Sequence, residues 1–438
     1  MNNRACAAGR VGVAALSLFF LSAVAPVALG QTLQQELQSL LTTHPRLKAE
    51  TSNVAAATEG IRRAGAGYLP SAVLSGDVGR ETIDDPITRG RNETSELTRE
   101  KITLSVTQNL FNGFATHERK GWATAQRDVA QETQEAARQS LLLEGITAYY
   151  AVLRQSKLVA VARENEDTIQ QQAALEDERV QRGAGIAVDV LLAKTRLQLA
   201  KERRVQLQGN LNEAVARYIQ VFDHPPDVAQ MTEPNLRLDM VPESFDVAVG
   251  SAYDKNPVLR GSSRQIDVAE RNRGIAEAEY YPSVDLVGRL NWENNVDALE
   301  GVRRDWAVLL RLNWSLFNGF ATDAAVAAAA YSRAAAMDTH GYNRRKVIED
   351  LRIAWEQLAT ARERVRLLDN AVAISEEVFV ARRRLRDAGR ETAINVLDAQ
   401  SEVFAARLNY LAAVYDVQIA SFRVLFVMGI LTPETIGL

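Results

Sequence analysis

Leu110-Phe111-Asn112-Gly113-Phe114-Ala115-Thr116 returns residue for residue as Leu316-Phe317-Asn318-Gly319-Phe320-Ala321-Thr322, at an offset of 206. One such identity can arise by chance, but an ordered chain of matches hardly can. At the same offset Ala148-Tyr149 answers Ala354-Trp355, Gly183 answers Gly389, and Asp189-Val190-Leu191 answers Asn395-Val396-Leu397. Upstream the offset becomes 212, pairing His44-Pro45 with Asn256-Pro257 and Leu69-Pro70 with Tyr281-Pro282. The sequence therefore reads as a tandem duplication: a first repeat over 31–226, a linker over 227–243, a second repeat over 244–430 and a tail over 431–438.

Each repeat spells a helix, two strands and a long helical hairpin. The first helices are expected from Leu33 to Arg63 and from Phe245 to Glu279, ending where Pro70 and Pro282 push the preceding residue out of the helical region. Strands are expected at about 70–80, 100–111, 282–293 and 305–317. In the last, Trp306, Val308, Leu310, Leu312, Trp314 and Leu316 alternate with Ala307, Leu309, Arg311, Asn313 and Ser315. In the first repeat Ile102, Leu104, Val106 and Leu110 alternate with Lys101, Thr103, Ser105, Thr107 and Asn109. Eleven tilted residues rise about 25 Å, the height of an outer-membrane apolar band, with Trp306 and Trp314 near its two borders. A soluble sandwich alternates in the same way, so the barrel reading leans on the export signal described below and on the lack of any second sheet.

Between Gly113 and Arg182, and again between Gly319 and Arg386, there is no proline. Each run is close to 70 residues, or roughly 100 Å of helix, far beyond the needs of a globular domain. Turns at Gly183 and Gly389 send each chain back, giving hairpins over 113–223 and 319–428. The last helix carries a heptad seam from Ile394 through Leu397, Phe404, Leu408 and Tyr415 to Leu425. The Asn-Gly pairs at 112–113 and 318–319 suit the corners between strand and helix.

The chain has 51 basic and 55 acidic residues among 438, and a net charge of −4. Such a balance offers no field for a phosphate backbone, and no nucleic-acid partner is expected. Residues 1–30 read as a signal peptide: Arg4 and Arg10 precede an uncharged apolar run, Pro26 breaks it, and Ala28-Leu29-Gly30 suits cleavage. After residue 30 no long uncharged apolar window recurs, so a membrane can be crossed only by strands of a closed barrel. Cys6, the one cysteine, lies in the signal segment. His44, His117, His224 and His340 are scattered, and no nucleophile elbow or phosphate loop is present, so no catalytic residue, cofactor or metal site is expected.

Four strands are too few to close a membrane barrel, whose smallest form has about eight. Two copies give eight, three twelve, four sixteen. The fold class is thus mostly α with a membrane β-barrel: strands shared among several chains, and a coiled-coil tube about 100 Å long.

The duplication, the Phe-Asn-Gly-Phe corners, the His-Pro and Asn-Pro helices and the turn segment Ala388 to Gln400 together resemble the TolC-like outer-membrane efflux and secretion proteins. The resemblance covers essentially residues 31–430. It implies a homotrimer with a twelve-stranded barrel in outer-membrane lipid and an α-helical tunnel in the periplasm of a Gram-negative cell. It also implies docking to a periplasmic adaptor (membrane fusion) protein and an inner-membrane transporter, ATP-driven (ABC-type) or proton-driven. The function implied is an exit duct, as in type I protein secretion or multidrug efflux. A periplasmic coiled-coil adaptor without its own pore is the alternative.

The family's two acidic rings at the periplasmic entrance fall on Asn395 and Asp398, so only Asp398 keeps its charge. Its gate-locking arginine falls on Glu391, with Arg390 beside it, and the acid that arginine meets falls on Asp189. Arg386 is a further gate-linking candidate. Adaptor contact is expected at Gly183, Val190 and Leu191 and at Gly389, Val396 and Leu397. Lipid contact is expected at Trp306, Val308, Leu310, Leu312 and Trp314.

Overall fold

The computed structural model describes residues 32–84, 86–90, 95–183, 186–234 and 240–437. The expected signal segment lies outside them. Helices α1 (Leu33–Thr43) and α2 (Pro45–Gly65) lead into strand β1 (Ser71–Ile83), the short helix α3 (Pro86–Gly90) and strand β2 (Ser95–Asn112). The long helices α4 (Ala115–Gln181) and α5 (Ala187–Phe222) follow. The same order then recurs as α6 (Phe245–Lys255), α7 (Pro257–Glu277), β3 (Ser283–Asn294), β4 (Val302–Asn313), α8 (Ala321–Asp387) and α9 (Ala393–Val427).

The single leading helix expected in each repeat is broken in two. His44 and Asn256 precede prolines and are held extended, at φ −64° and −65°. Each then caps the next helix. His44 Nδ1 accepts from Arg46 N at 3.2 Å, and Asn256 Oδ1 accepts from Val258 N at 2.9 Å.

The corners turn on two consecutive left-handed residues, Gly113 (φ 64°) with Phe114 (φ 68°), and Gly319 (φ 65°) with Phe320 (φ 65°). Asn112 steadies the first from outside the helix: its Oδ1 accepts from Thr116 N at 3.2 Å and its Nδ2 donates to Thr116 Oγ1 at 2.7 Å. Asn318 repeats the side-chain bond to Thr322 at 2.7 Å. Phe111 stands edge-on to Phe114, and Phe317 to Phe320.

β1 to β4 form one antiparallel sheet in chain order, with β1 and β4 as its edges. The register sets Leu74 opposite Leu104, Leu104 opposite Leu290, and Leu290 opposite Trp306. One face of the sheet is therefore apolar across all four strands, up to the end remote from the helices, where Arg80 pairs with Glu96. The other is an ionic ladder. Arg99 reaches Asp77 and Glu81, each at 3.0 Å, and Glu293 is held by Lys101 at 2.9 Å and Arg303 at 2.8 Å. Leu110 departs from the expected alternation because it is the extra residue of a bulge between Asn109 and Phe111. β4 ends at Asn313, short of the expected 317, where its partner β3 begins after Pro282. Trp314, just beyond, instead donates its indole N–H to the Tyr280 carbonyl at 3.1 Å.

α4 and α8 each have 67 residues, about 100 Å of helix. The largest core joins α1, α4, α5 and α9 around Leu37, Leu142, Ile146, Tyr149, Tyr218, Phe422 and Leu425. α9 contains an 18-residue stretch of mean hydropathy 1.4, of which 44% is buried within the protein, with Phe422, Val424 and Leu425 in its cores.

Candidate functional site

The hairpin turns stand at the end of the long helices remote from the sheet. Gly183 (φ 75°) and Gly389 (φ 71°) occupy the left-handed region there, as helix-ending glycines do. The α8–α9 turn is fastened to the α4–α5 hairpin by Arg386. Its Nη2 lies 2.7 Å from Glu176 Oε2 and 4.0 Å from Asp189 Oδ2. Its Nη1 donates to the Glu391 carbonyl at 3.2 Å. Glu176 is buried and also receives Arg179 at 3.1 Å.

The other two gate-linking candidates do not reach Asp189. Arg390 is exposed and, among the described residues, makes no ion pair. Glu391 turns back on its own helix, accepting from the Asn395 amide and from Thr392 N at 3.0 Å. Those two donors, the Asn395 amide first, hold its carboxyl below the usual range. Arg386 comes out ahead because it lies one turn earlier, still on α8, where its side chain reaches Glu176 of α4.

Asp398 is not free. Arg196 of α5 approaches its Oδ1 to 2.6 Å, and both side chains remain partly exposed. Asn395 sits one turn nearer the tip, and its carbonyl accepts from Arg382 at 3.4 Å. Nearby Gln172 meets Gln400, and Leu397 packs with Ala173 and Ala193.

The expected adaptor-contact residues divide. Gly183, Gly389 and Leu191 are exposed, but Val190, Val396 and Leu397 are buried within the chain. The correction has a simple cause: these three lie on the inward faces of α5 and α9, where the hairpins pack on each other. Ile186 and Val188 are exposed beside Leu191 and escaped the sequence reading. Arg196, Glu176 and Arg382 escaped it too, since nothing in their spacing marks them. On the sheet, Trp306, Val308, Leu310, Leu312 and Trp314 are all exposed. Among the described residues no group of three or more His, Cys, Asp or Glu side chains is placed to hold a metal.

Comparison with known proteins agrees with this architecture. The chain is 23% identical over 413 residues to the outer membrane efflux protein BepC of Brucella suis, covering 94% of this chain and 88% of that one. It is 24% identical over 387 residues to the alkaline protease secretion protein AprF of Pseudomonas aeruginosa, covering 85% and 79%. The solved outer membrane protein VceC of Vibrio cholerae superposes with a TM-score of 0.78 at 15% identity, over 91% of this chain and 96% of that one. The outer membrane efflux protein model matches residues 37–221 and 248–429, most of the two halves, and the chain belongs to that family.

Proposed function

We propose that three copies of this outer-membrane exit duct close one twelve-stranded barrel and one helical tunnel, serving a tripartite export system. The observation that carries the reading is the sheet: apolar on one face, ionic on the other, with both edge strands unpaired. A membrane sheet with bare edges is untenable in lipid, and closure with further copies removes the edges. The apolar face then meets lipid and the ladder of Asp77, Arg99, Glu293 and Arg303 lines the lumen. A stripe along α8 supports the same closure. Leu367, Ala371, Ile374, Val378, Ala381 and Leu385 recur at spacings of four and three, and all are exposed in the single chain. A coiled-coil seam of that kind calls for a partner, and a neighbouring copy supplies one.

The two halves are read as duplicated repeats with the linker between them. Arg386, joined to Asp189 and Glu176, is the candidate lock of the closed tip, and Asp398 lies at the entrance. Gly183, Gly389 and Leu191 form the surface offered to a periplasmic adaptor, which connects the duct to an inner-membrane transporter. The protein acts as a conduit rather than an enzyme. Cargo of either kind, a polypeptide or a small molecule, suits a duct whose partners select it.

The test is at the sheet. Replacing Leu310 and Leu312 together with Arg puts two cations on the lipid face, at about 2–4 kcal/mol each near the bilayer midplane. Crosslinked trimer in outer membranes is expected to fall sharply. Undiminished trimer means that this face does not meet lipid, and the barrel reading fails.

A further inference from the structure

We propose that Arg196 is a specificity-determining residue of the tunnel: its guanidinium cancels the acidic ring that Asp398 would otherwise present at the entrance. The inference rests on the entrance reading of Asp398 given above.

With Asn395 uncharged, Asp398 is the single acid at the two entrance positions. An unopposed ring of three carboxylates would draw cations strongly. Instead Arg196 Nη2 stands 2.6 Å from Asp398 Oδ1. The side chains keep 38% and 45% of their surface open, so the pair faces water rather than the core. At that separation the two charges act beyond their own neighbourhood as a dipole, whose field dies faster than that of a lone carboxylate. Salt then screens the remainder within roughly 10 Å.

One turn nearer the tip the same balance recurs. Glu391 bonds the Asn395 amide, while Arg382 donates to the Asn395 carbonyl. Each chain thus offers Glu391 and Asp398 against Arg382 and Arg196, a sum near zero. Glu402, one turn further from the tip, and Arg390, at the turn, are both exposed and leave one residual charge of each sign. The entrance of this protein passes solutes of either sign with little preference between them.

Arg196 also ties α5 to α9, so a purely mechanical role must be separated from an electrostatic one. Reversal potential in a salt gradient reads charge, whereas conductance reads width. The full-length trimer is placed in planar bilayers under a potassium chloride gradient, with La3+ as a probe of block. Arg196→Gln is expected to raise the cation-to-anion permeability ratio by about threefold and to make La3+ block markedly stronger. Asp398→Asn frees Arg196 and is expected to carry the reversal potential to the anion side. The double variant returns it close to wild type.

If Asp398→Asn moves the reversal potential and Arg196→Gln changes conductance alone, Arg196 is a mechanical tie. The proposal then fails while the entrance reading stands. If neither variant moves it, the pair lies off the permeation path and both fall. Should Arg196→Gln not assemble, Asp398→Asn decides by itself. A clear anion preference requires an arginine freed at this ring, and a reversal potential left near the wild-type value overturns the proposal.

Discussion

Arg386 and Arg390 lie four residues apart at the same turn, yet only one is engaged. Arg386 is 21% exposed and holds Glu176, whose side chain is 9% exposed. Arg386→Ala leaves that buried carboxylate with Arg179 alone, a local cost of about 1–3 kcal/mol. The expected result is a larger resting conductance, with faster amide exchange around 176–190 and 386–395 in an intact trimer. Arg390→Ala is expected to change neither quantity, and equal effects from the two variants would remove Arg386 from the lock. Sequence led to this turn through its glycine and its flanking motif. It did not reveal which arginine engages, because Asp189 and Arg386 are brought together by helix packing and nothing local encodes that meeting.

At the level of elements, most of the fold was legible. Strand alternation and the proline-free runs give the sheet and the long helices to within a few residues, because periodicity is written into every position of such elements. Some departures are places where one residue breaks a period, and the others are strand ends set by pairing with a neighbour. Proline breaks the leading helices at His44 and Asn256, and Leu110 adds an uncompensated residue to β2. Facing was harder than existence. Val190 and Leu191 are adjacent in α5, yet Val190 is 7% exposed and Leu191 65%. Val190→Glu buries a carboxyl among helices at about 1–3 kcal/mol and therefore damages the tip itself. Leu191→Glu costs the fold little, and is expected to abolish export while trimer and thermal stability hold. Loss of trimer instead would assign Leu191 to the seam between chains, and unchanged export would place the adaptor elsewhere.

For the molecule as a whole, equal halves are unequally covered. α4 has 22 buried residues and α8, of the same length, has 7. The corners show the same difference. A Cβ on Gly113 would stand 2.3 Å from the Ala278 carbonyl oxygen and 2.9 Å from Tyr281 Cβ, whereas one on Gly319 meets nothing within 4 Å. Shifted by 212, Ala278 and Tyr281 become Ala66 and Leu69, which stand in the other half. In a closed ring, the next copy's Ala66 and Leu69 would fill the open side of Gly319. Both glycines have positive φ, so alanine strains each by roughly 1–2 kcal/mol. Beyond that shared strain, Gly113→Ala is expected to lower the yield of folded chain, while Gly319→Ala lowers trimer with the chain still folded. Detergent extracts resolved by size and by protease resistance distinguish the two outcomes.

The unpaired strands β1 and β4 also set a clock. A newly exported protomer carries two rows of open backbone donors and acceptors beside an apolar face, and wrong partners can add to them as readily as right ones. Closure as the proposed trimer needs three chains to meet, whereas misassociation needs any two. The fraction reaching the membrane therefore depends steeply on the rate of supply and on whatever shields those edges in transit. Slow, sheltered synthesis favours closed rings, and a burst of expression favours aggregates of chains that are each correctly folded in their helices.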